Sequence, residues 1–444
     1  MPELTANTLA DSTSTDSRTP RTKAWGLTLV LGLLYLITYT DKILLGLVAQ
    51  PLKDEFGLTA SDIGLAGSIF FLAYIIGGLG AGQLNKWFTL RWSLVVLSIA
   101  WALCMLPMVF AASFTVLMIS RFILGLAEGP SASLVYTAIY SWHPVEKRSL
   151  PGAFVPASSS IAKLLAAPAL ALVIATWGWR AAFVTMVIVG FVWCALWITT
   201  WSEGPYGERP TAAPKPEAGT TSTQEPAKVP WMAIFRTPTF VGGVAAMIAM
   251  NALLAVTLTW LPSYFEEGLG YSRLQAGSLF AIPSIAALTA LFVVTPISDR
   301  LTGRGASTRV LRGVVPGVSL LLCGLTLVVI PYLSVPAVVV AVISIGYGFG
   351  TVVYPQISAA ISQICPKNQL AGTLGVFFAL MSLGGVFGPY VTGLMVDAAA
   401  SPADGFGHAF QLFGIVAVIG AVITLIAVNP ARDARRLMPT HNAA

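Results

Sequence analysis

Five charged residues stand inside runs that are otherwise apolar: Asp41, Lys42, Arg121, Glu128 and Lys163. A carboxylate in such a setting can take up and release a proton, and an ammonium or guanidinium there can hold an anion. Arg121 and Glu128 are seven residues apart, two helical turns, so they share one face of a helix at about 10 Å along its axis. Charge at membrane depth rarely faces lipid. These side chains therefore need a polar interior to point into.

The elements that position them follow from composition. The chain has 444 residues, of which 56% are hydrophobic and only 10% charged. A soluble globular chain carries roughly 25% charged residues, so this one has too little charge to cover a soluble surface and reads as a polytopic membrane protein. The net charge of +6 lies mostly in short loops, where the charge asymmetry of membrane proteins accounts for it without a nucleic-acid partner. Cys104, Cys194, Cys323 and Cys365 are far apart, with neither metal-ligand spacing nor a paired framework. No metal or cofactor is expected; a proton gradient is the energy source. Residues 1–23 are polar and rich in Ser and Thr, read as a disordered tail with no cleavable signal pattern.

Six apolar runs long enough to span a bilayer fall in residues 24–201 and six in 237–428. Between them, residues 202–236 are rich in Pro, Glu, Lys, Thr and Gly and read as a linker. A polar tail, 429–444, follows. Two parallel six-helix halves are the repeat pattern of major-facilitator transporters. The expected fold is thus an all-α integral membrane protein with twelve transmembrane helices in two pseudo-symmetric six-helix bundles. The tails and even-numbered loops hold nineteen of the 25 Lys and Arg residues, and the opposite loops hold only Lys53, Arg180 and Arg273. That asymmetry puts both termini in the cytoplasm, with a bacterial inner membrane as the expected location. The three cations left over, Lys42, Arg121 and Lys163, are the ones inside spans.

All five intramembrane charges belong to the first half. At comparable depth the second half offers neutral groups: Asn251, Thr257, Tyr347, Tyr354, Gln356, Ser358, Phe377, Phe378 and Ser382. Judged by depth, Asp41 faces Arg121, and Glu128 faces Lys163. Three cations against two acids leave one positive charge unmatched, which favours an anionic ligand. If substrate takes the cation from a carboxylate, a proton replaces the lost partner; this is the physical basis of proton–anion symport. Two alternatives stand beside it: static ion pairs that lock helices together, and, for Lys42, a side chain that snorkels to the interface. Lys163 lies in PASSSIAKLLAAPAL, whose small residues permit close helix approach, and it is too deep to snorkel.

The stretch RFILGLAEG at 121–129, the pattern Trp142-x-Pro144-x-Glu146-x-x-Ser149, Gly178-Trp179, and Trp260-Leu261-Pro262-x-Tyr264 together resemble the anion:cation symporters of the major facilitator superfamily. The resemblance covers nearly all of residues 25–428. It implies that Asp41, Lys42 and Glu128 serve proton coupling and anion binding, and that Arg121 occupies the place of the family arginine. Two departures stand out: Lys42 where the family more often has arginine, which loses the bidentate fork, and a lysine at 163 where bacterial members often carry a neutral amide. The extra cation fits a second anionic or carbonyl group on the substrate. Ser382 stands where an asparagine is often found.

The expected function is proton-coupled uptake of a small organic carboxylate by a monomer working through alternating access, rather than an enzyme. Substrate contacts are expected from Lys42, Arg121, Lys163, Tyr39, Asn251, Tyr354, Gln356, Phe377, Phe378 and Ser382, and gating-loop roles from Asn85, Arg91, Asp299 and Arg300. Efflux of an amphipathic or lipid-like anion or drug by proton antiport, and a receptor or scaffold that binds without transporting, are the other readings.

Overall fold

The computed structural model describes residues 21–80, 88–143, 149–205, 229–366 and 369–438. Its helices include twelve that are long and apolar enough to cross a membrane. In chain order they are α1 (Thr22–Phe56), α2 (Ala60–Leu79), α3 (Leu90–Phe110), α4 (Phe114–Trp142), α5 (Ala157–Trp177) and α6 (Trp179–Thr200), then α7 (Pro238–Gly268), α8 (Arg273–Ser298), α9 (Val310–Tyr332), α10 (Pro336–Gln363), α11 (Gly372–Ala398) and α12 (Pro402–Ala427). Large apolar side chains such as Phe292, Ile345 and Ile426 stand exposed on the outside; in a bilayer that surface meets lipid of matching polarity. The twelve-helix, two-bundle architecture is the one the hydropathy pattern predicts.

Several spans are interrupted at places the sequence explains. In α4 the helix Phe114–Glu128 gives way at Gly129 and Pro130 to a second helix, Ser131–Trp142, because proline lacks the N–H that an unbroken helix needs. In α5, residues Ala162–Ala166 form a π turn, and Ala167 N–H bonds back to the Ala162 carbonyl. Pro168 follows one residue later and has no N–H to offer Leu164. The wider turn accommodates that defect, and π turns of this kind recur at functional sites. The same arrangement precedes Pro316 in α9, where Val315 N–H reaches the Val310 carbonyl.

The halves meet closely at one end, where α1, α7 and α11 finish and α2 starts. The Asp397 carboxylate accepts the N–H groups of Ala60 at 2.8 Å and Ser61 at 2.7 Å, so α11 caps the first turn of α2. Lys53 on α1 pairs with Glu267 on α7 at 2.9 Å. Deeper in, Gly46 lies so close to α7 that an added Cβ would stand 2.5 Å from the Leu258 carbonyl oxygen; only glycine permits that approach. Gly277 of α8 seats the Ala171 side chain of α5 in the same way.

Three segments are more ordered than the sequence suggests. Asp299 and Arg300 do not begin a loop: the helix that carries α8 continues through Gly303, since nothing before Gly303 breaks it. The stretch after α12 is not a plain tail, because Pro430–Leu437 is helical with Asn429 as its cap. Its Asp433 accepts the Thr239 N–H of α7 at 2.9 Å. Although burial pushes it up, the Asp433 carboxyl is held below the usual range by hydrogen bonds from Arg432 and Thr239. The last part of the 202–236 stretch also folds, as the helix Trp231–Phe235. Gln369 accepts from Val229 N at 3.1 Å and donates to Val229 O at 2.8 Å. Asn85 and the Pro144–Arg148 part of the loop motif lie outside the described residues.

Candidate functional site

Arg121 and Glu128 share a face of α4, as their spacing requires, and both reach α1. The partners differ from those that depth predicts. Glu128 pairs with Lys42, not with Lys163. Its carboxylate is fully buried, and Lys42 is 11% exposed. Lys42 therefore does not snorkel; its Nζ also donates to the Thr38 carbonyl at 3.2 Å. Arg121 donates through Nη1 to the Asp41 backbone carbonyl at 3.2 Å and forms no ion pair with the Asp41 carboxylate. Adjacent residues on a helix point about 100° apart, so Asp41 and Lys42 cannot serve the same neighbour. Lys42 faces α4 and the interior. Asp41 turns to a small void lined also by Ser98, Trp101, Met105 and Met186 of α3 and α6. Asp41 Oδ1 and Trp101 Nε1 are buried there without hydrogen-bond partners.

An aromatic wall surrounds Lys42. Its Nζ lies 5.0 Å from the Tyr39 ring centre, 5.3 Å from Phe70 and 5.5 Å from Tyr74, within the range at which ring faces attract cations. Tyr35 packs on Tyr39 with ring centres 5.6 Å apart. The sequence expectation includes Tyr39 but not Tyr35, Phe70 or Tyr74. The spacing Tyr35-x-x-x-Tyr39-x-x-Lys42 puts the first and last of these on one helix face with Tyr39 and was the available signal. A second small void, beside Lys42 and Arg121, is lined by Gly67, Phe70 and Phe71 of α2 and by Leu258 and Thr259 of α7. It has room for about one water and lies where the halves meet. Arg121 Nη2 and Glu128 Oε1 are buried without hydrogen-bond partners.

Lys163 occupies the π turn of α5 and is 3% exposed. Its Nζ donates to the Tyr347 hydroxyl of α10 at 2.9 Å, across the boundary between the halves, and stands 4.7 Å from the centre of that ring. No carboxylate lies within ion-pair distance of it among the described residues. Tyr347 thus joins the candidate site with a direct contact.

The other second-half candidates fare differently. Asn251 accepts the Gly385 N–H at 3.1 Å and ties α7 to α11. Gln356 accepts from Ser298 at 3.2 Å and ties α10 to α8. Ser382 donates to the Phe378 carbonyl of its own helix at 2.9 Å. Phe377 is fully buried against Phe240, whereas Phe378 is exposed. Tyr354 is half-buried, with its hydroxyl beside Asn251. Most of these polar groups therefore hold helices of the second half to one another. Arg91 likewise serves its own half: it donates to the Ile198 carbonyl at 2.6 Å near the end of α6, where a cation meets the unpaired carbonyls of a helix terminus. Arg300 is exposed on the α8 extension beside Asp299, whose side chain lies outside the described residues.

A buried set of opposite charges at the junction of two six-helix bundles, each helix sealed by its own backbone hydrogen bonds, defines a membrane transporter rather than an enzyme. The chain belongs to the Major Facilitator Superfamily, whose family model matches residues 31–357. Among similar curated proteins is the probable sulfoacetate transporter SauU of Cupriavidus necator, 28% identical over 413 residues, 90% of this chain and 93% of that one. The hexuronate transporter of Bacillus subtilis is 25% identical over 404 residues, 90% of this chain and 94% of that one. Among solved structures, a bacterial homolog of the human lysosomal transporter Spinster, inward-facing and occupied, superposes with a TM-score of 0.74 at 18% identity, over 91% of this chain and 96% of that one. A D-xylose–proton symporter gives 0.73 at 17% identity, over 92% and 98%. At such identities the solved structures speak for the fold. The curated relatives agree with the anion-carrier resemblance read from the motifs.

Proposed function

We propose that this protein is a proton-coupled symporter that takes up a small organic carboxylate by alternating access. The observation that carries the reading is the buried Lys42–Glu128 pair, set at the meeting of the two halves and walled by aromatic rings. A substrate carboxylate competes with Glu128 for the Lys42 ammonium. Once displaced, Glu128 is a buried carboxylate that has lost its paired ammonium, and taking a proton is its least costly outcome. Anion and proton then cross together, and release of the substrate on the far side restores the pair and expels the proton. Arg121 holds the Asp41 carbonyl and supplies positive potential next to Glu128; Asp41 is the second protonation site. Lys163 leaves the buried set net positive, which favours an anion.

The named functions of the curated relatives support an anionic organic substrate. Lysine and arginine are concentrated in the tails and the loops on their side, which supports cytoplasmic termini. On that orientation the Asp397–α2 and Lys53–Glu267 contacts close the outer end, and the conformation described is shut to the outside. In proteoliposomes, adding substrate should alkalinise the medium, and Glu128→Gln should abolish the alkalinisation while isotope exchange of substrate continues. Acidification on substrate addition would turn the reading into antiport.

A further inference from the structure

The charges in the interior are not equally compensated. Lys42 has Glu128, and Arg121 has the Asp41 carbonyl. Lys163, buried as deeply, has only a phenol among the described residues. Leaving an ammonium desolvated without a counter-charge costs several kcal/mol, and a helix built of Ala, Ser and Leu on either side could hold any residue there. A purely structural role does not account for it either: among the described residues Lys163 binds neither a backbone carbonyl nor an acid, and its hydrogen bond to Tyr347 crosses to the other half. A phenol is a weak partner that both donates and accepts, so it can keep its bond to Lys163 while giving its own proton to an incoming oxygen.

We infer that Lys163 and Tyr347 form a second anion subsite, separate from Lys42, and that the substrate is a small organic dianion with one anionic group at each. The inference rests on the symport reading above and adds the substrate's charge to it. Tyr39 of α1 meets Lys42 with its ring centre 5.0 Å away, and α1 packs against the turn of α5 that carries Lys163. Two cations on neighbouring helices, each with aromatic rings beside it, suit a short apolar or hydroxylated body carrying an acid at both ends. A carbonyl at Lys163 would leave the ammonium's full charge uncompensated, whereas a carboxylate or sulfonate would cancel it. Each bound dianion neutralises Lys163 and Lys42 together and sets Glu128 free to carry one proton. Binding also draws α5 and α10 to a common ligand, so closure of the halves depends on the second acid group.

The test compares acids that differ by one charge and little else. Ligand-induced thermal stabilisation of the purified full chain is measured with α,ω-dicarboxylates from malonate to adipate, with sulfoacetate, and with the monoamide of each dicarboxylate. Diacids of the best length should bind at least about 10-fold more tightly than their monoamides, the scale of one charge-assisted hydrogen bond. Lys163→Gln should erase that ratio, weakening the diacid by about 10-fold relative to the monoamide. Tyr347→Phe, which keeps the ring and the packing, should lower the ratio by about 3- to 10-fold, and it decides the matter if Lys163→Gln does not fold. Equal binding of diacid and monoamide to the wild type, or equal weakening of both in the variants, overturns the second subsite. If that occurs while monocarboxylates still drive proton uptake, only the dianion inference falls. If no acid of either kind binds or moves protons, the symport reading falls with it.

Discussion

The two halves of this transporter share a fold but divide the chemistry. Among the described residues, the charged side chains buried inside spans belong to the first half: Asp41, Lys42, Arg121, Glu128 and Lys163. The second half buries neutral groups, and it mostly uses them on itself, Asn251 to α11 and Gln356 to α8. Tyr347 is the exception, because it bonds Lys163 across the boundary. The difference teaches that a pseudo-symmetric scaffold need not have a symmetric site. One half can hold the buried charges in fixed register, while the other presents a hydroxyl to them. The polar contacts between the halves, among them Lys53–Glu267, Asp397 with the start of α2, and Lys163–Tyr347, are each open to test.

The largest expected effect comes from breaking the charge pair on the first half. Lys42→Met leaves Glu128 as an unpaired buried carboxylate and should destabilise the protein by about 3–5 kcal/mol, with loss of uptake. Adding Glu128→Gln removes the orphaned charge, so the double variant should regain most of the thermal stability without regaining transport. A double variant as unstable as the single would mean that Lys42 matters through packing alone. Next in size is the seam between the halves. Asp397→Ala removes two hydrogen bonds from the start of α2; at this exposed helix cap the loss costs about 0.5–2 kcal/mol in all. Spin-label distances across that end should lengthen as the open population grows, while the Lys42–Glu128 chemistry is untouched. The smallest effect belongs within the second half: Gln356→Leu should cost only about 1 kcal/mol of thermal stability and leave the preference among anions unchanged. A changed preference would place Gln356 in the site and undo the division of labour.

Much of this was legible before any coordinates. The twelve spans follow from apolar length, and the five buried charges follow from subtracting those in loops. The shared face of Arg121 and Glu128 follows from their spacing, and both do meet α1. The pairing was not legible, because distance along the membrane normal is one coordinate and rotation about a helix axis is another. Asp41 and Lys42 are neighbours in depth but point to different helices. The Asp41–Arg121 and Glu128–Lys163 pairs fail for that reason. In the second half, Asn, Gln and Ser inside a membrane satisfy each other or the backbone as readily as they meet a ligand, so composition alone does not separate Ser382 from Tyr347. The phase of α5 was hidden too, since the sequence marks Pro168 but not the turn that forms ahead of it.

That turn has a consequence for how this protein could be compared with its relatives. A π turn holds one residue more than the regular repeat, so the helix on its two sides is offset in phase by about 100°. Before it, Ser158 donates to the Gly32 carbonyl of α1 at 3.0 Å; after it, Ala171 fits against Gly277 of α8. Both contacts are kept only because the extra residue takes up the difference. A chain that is one residue shorter here would keep one contact or the other, and its residue in the Lys163 column of an alignment would look out on a different neighbour. Matching columns across this segment therefore does not guarantee matching positions in space, and substrate preference could change through one inserted or deleted codon without any substitution of the lysine itself.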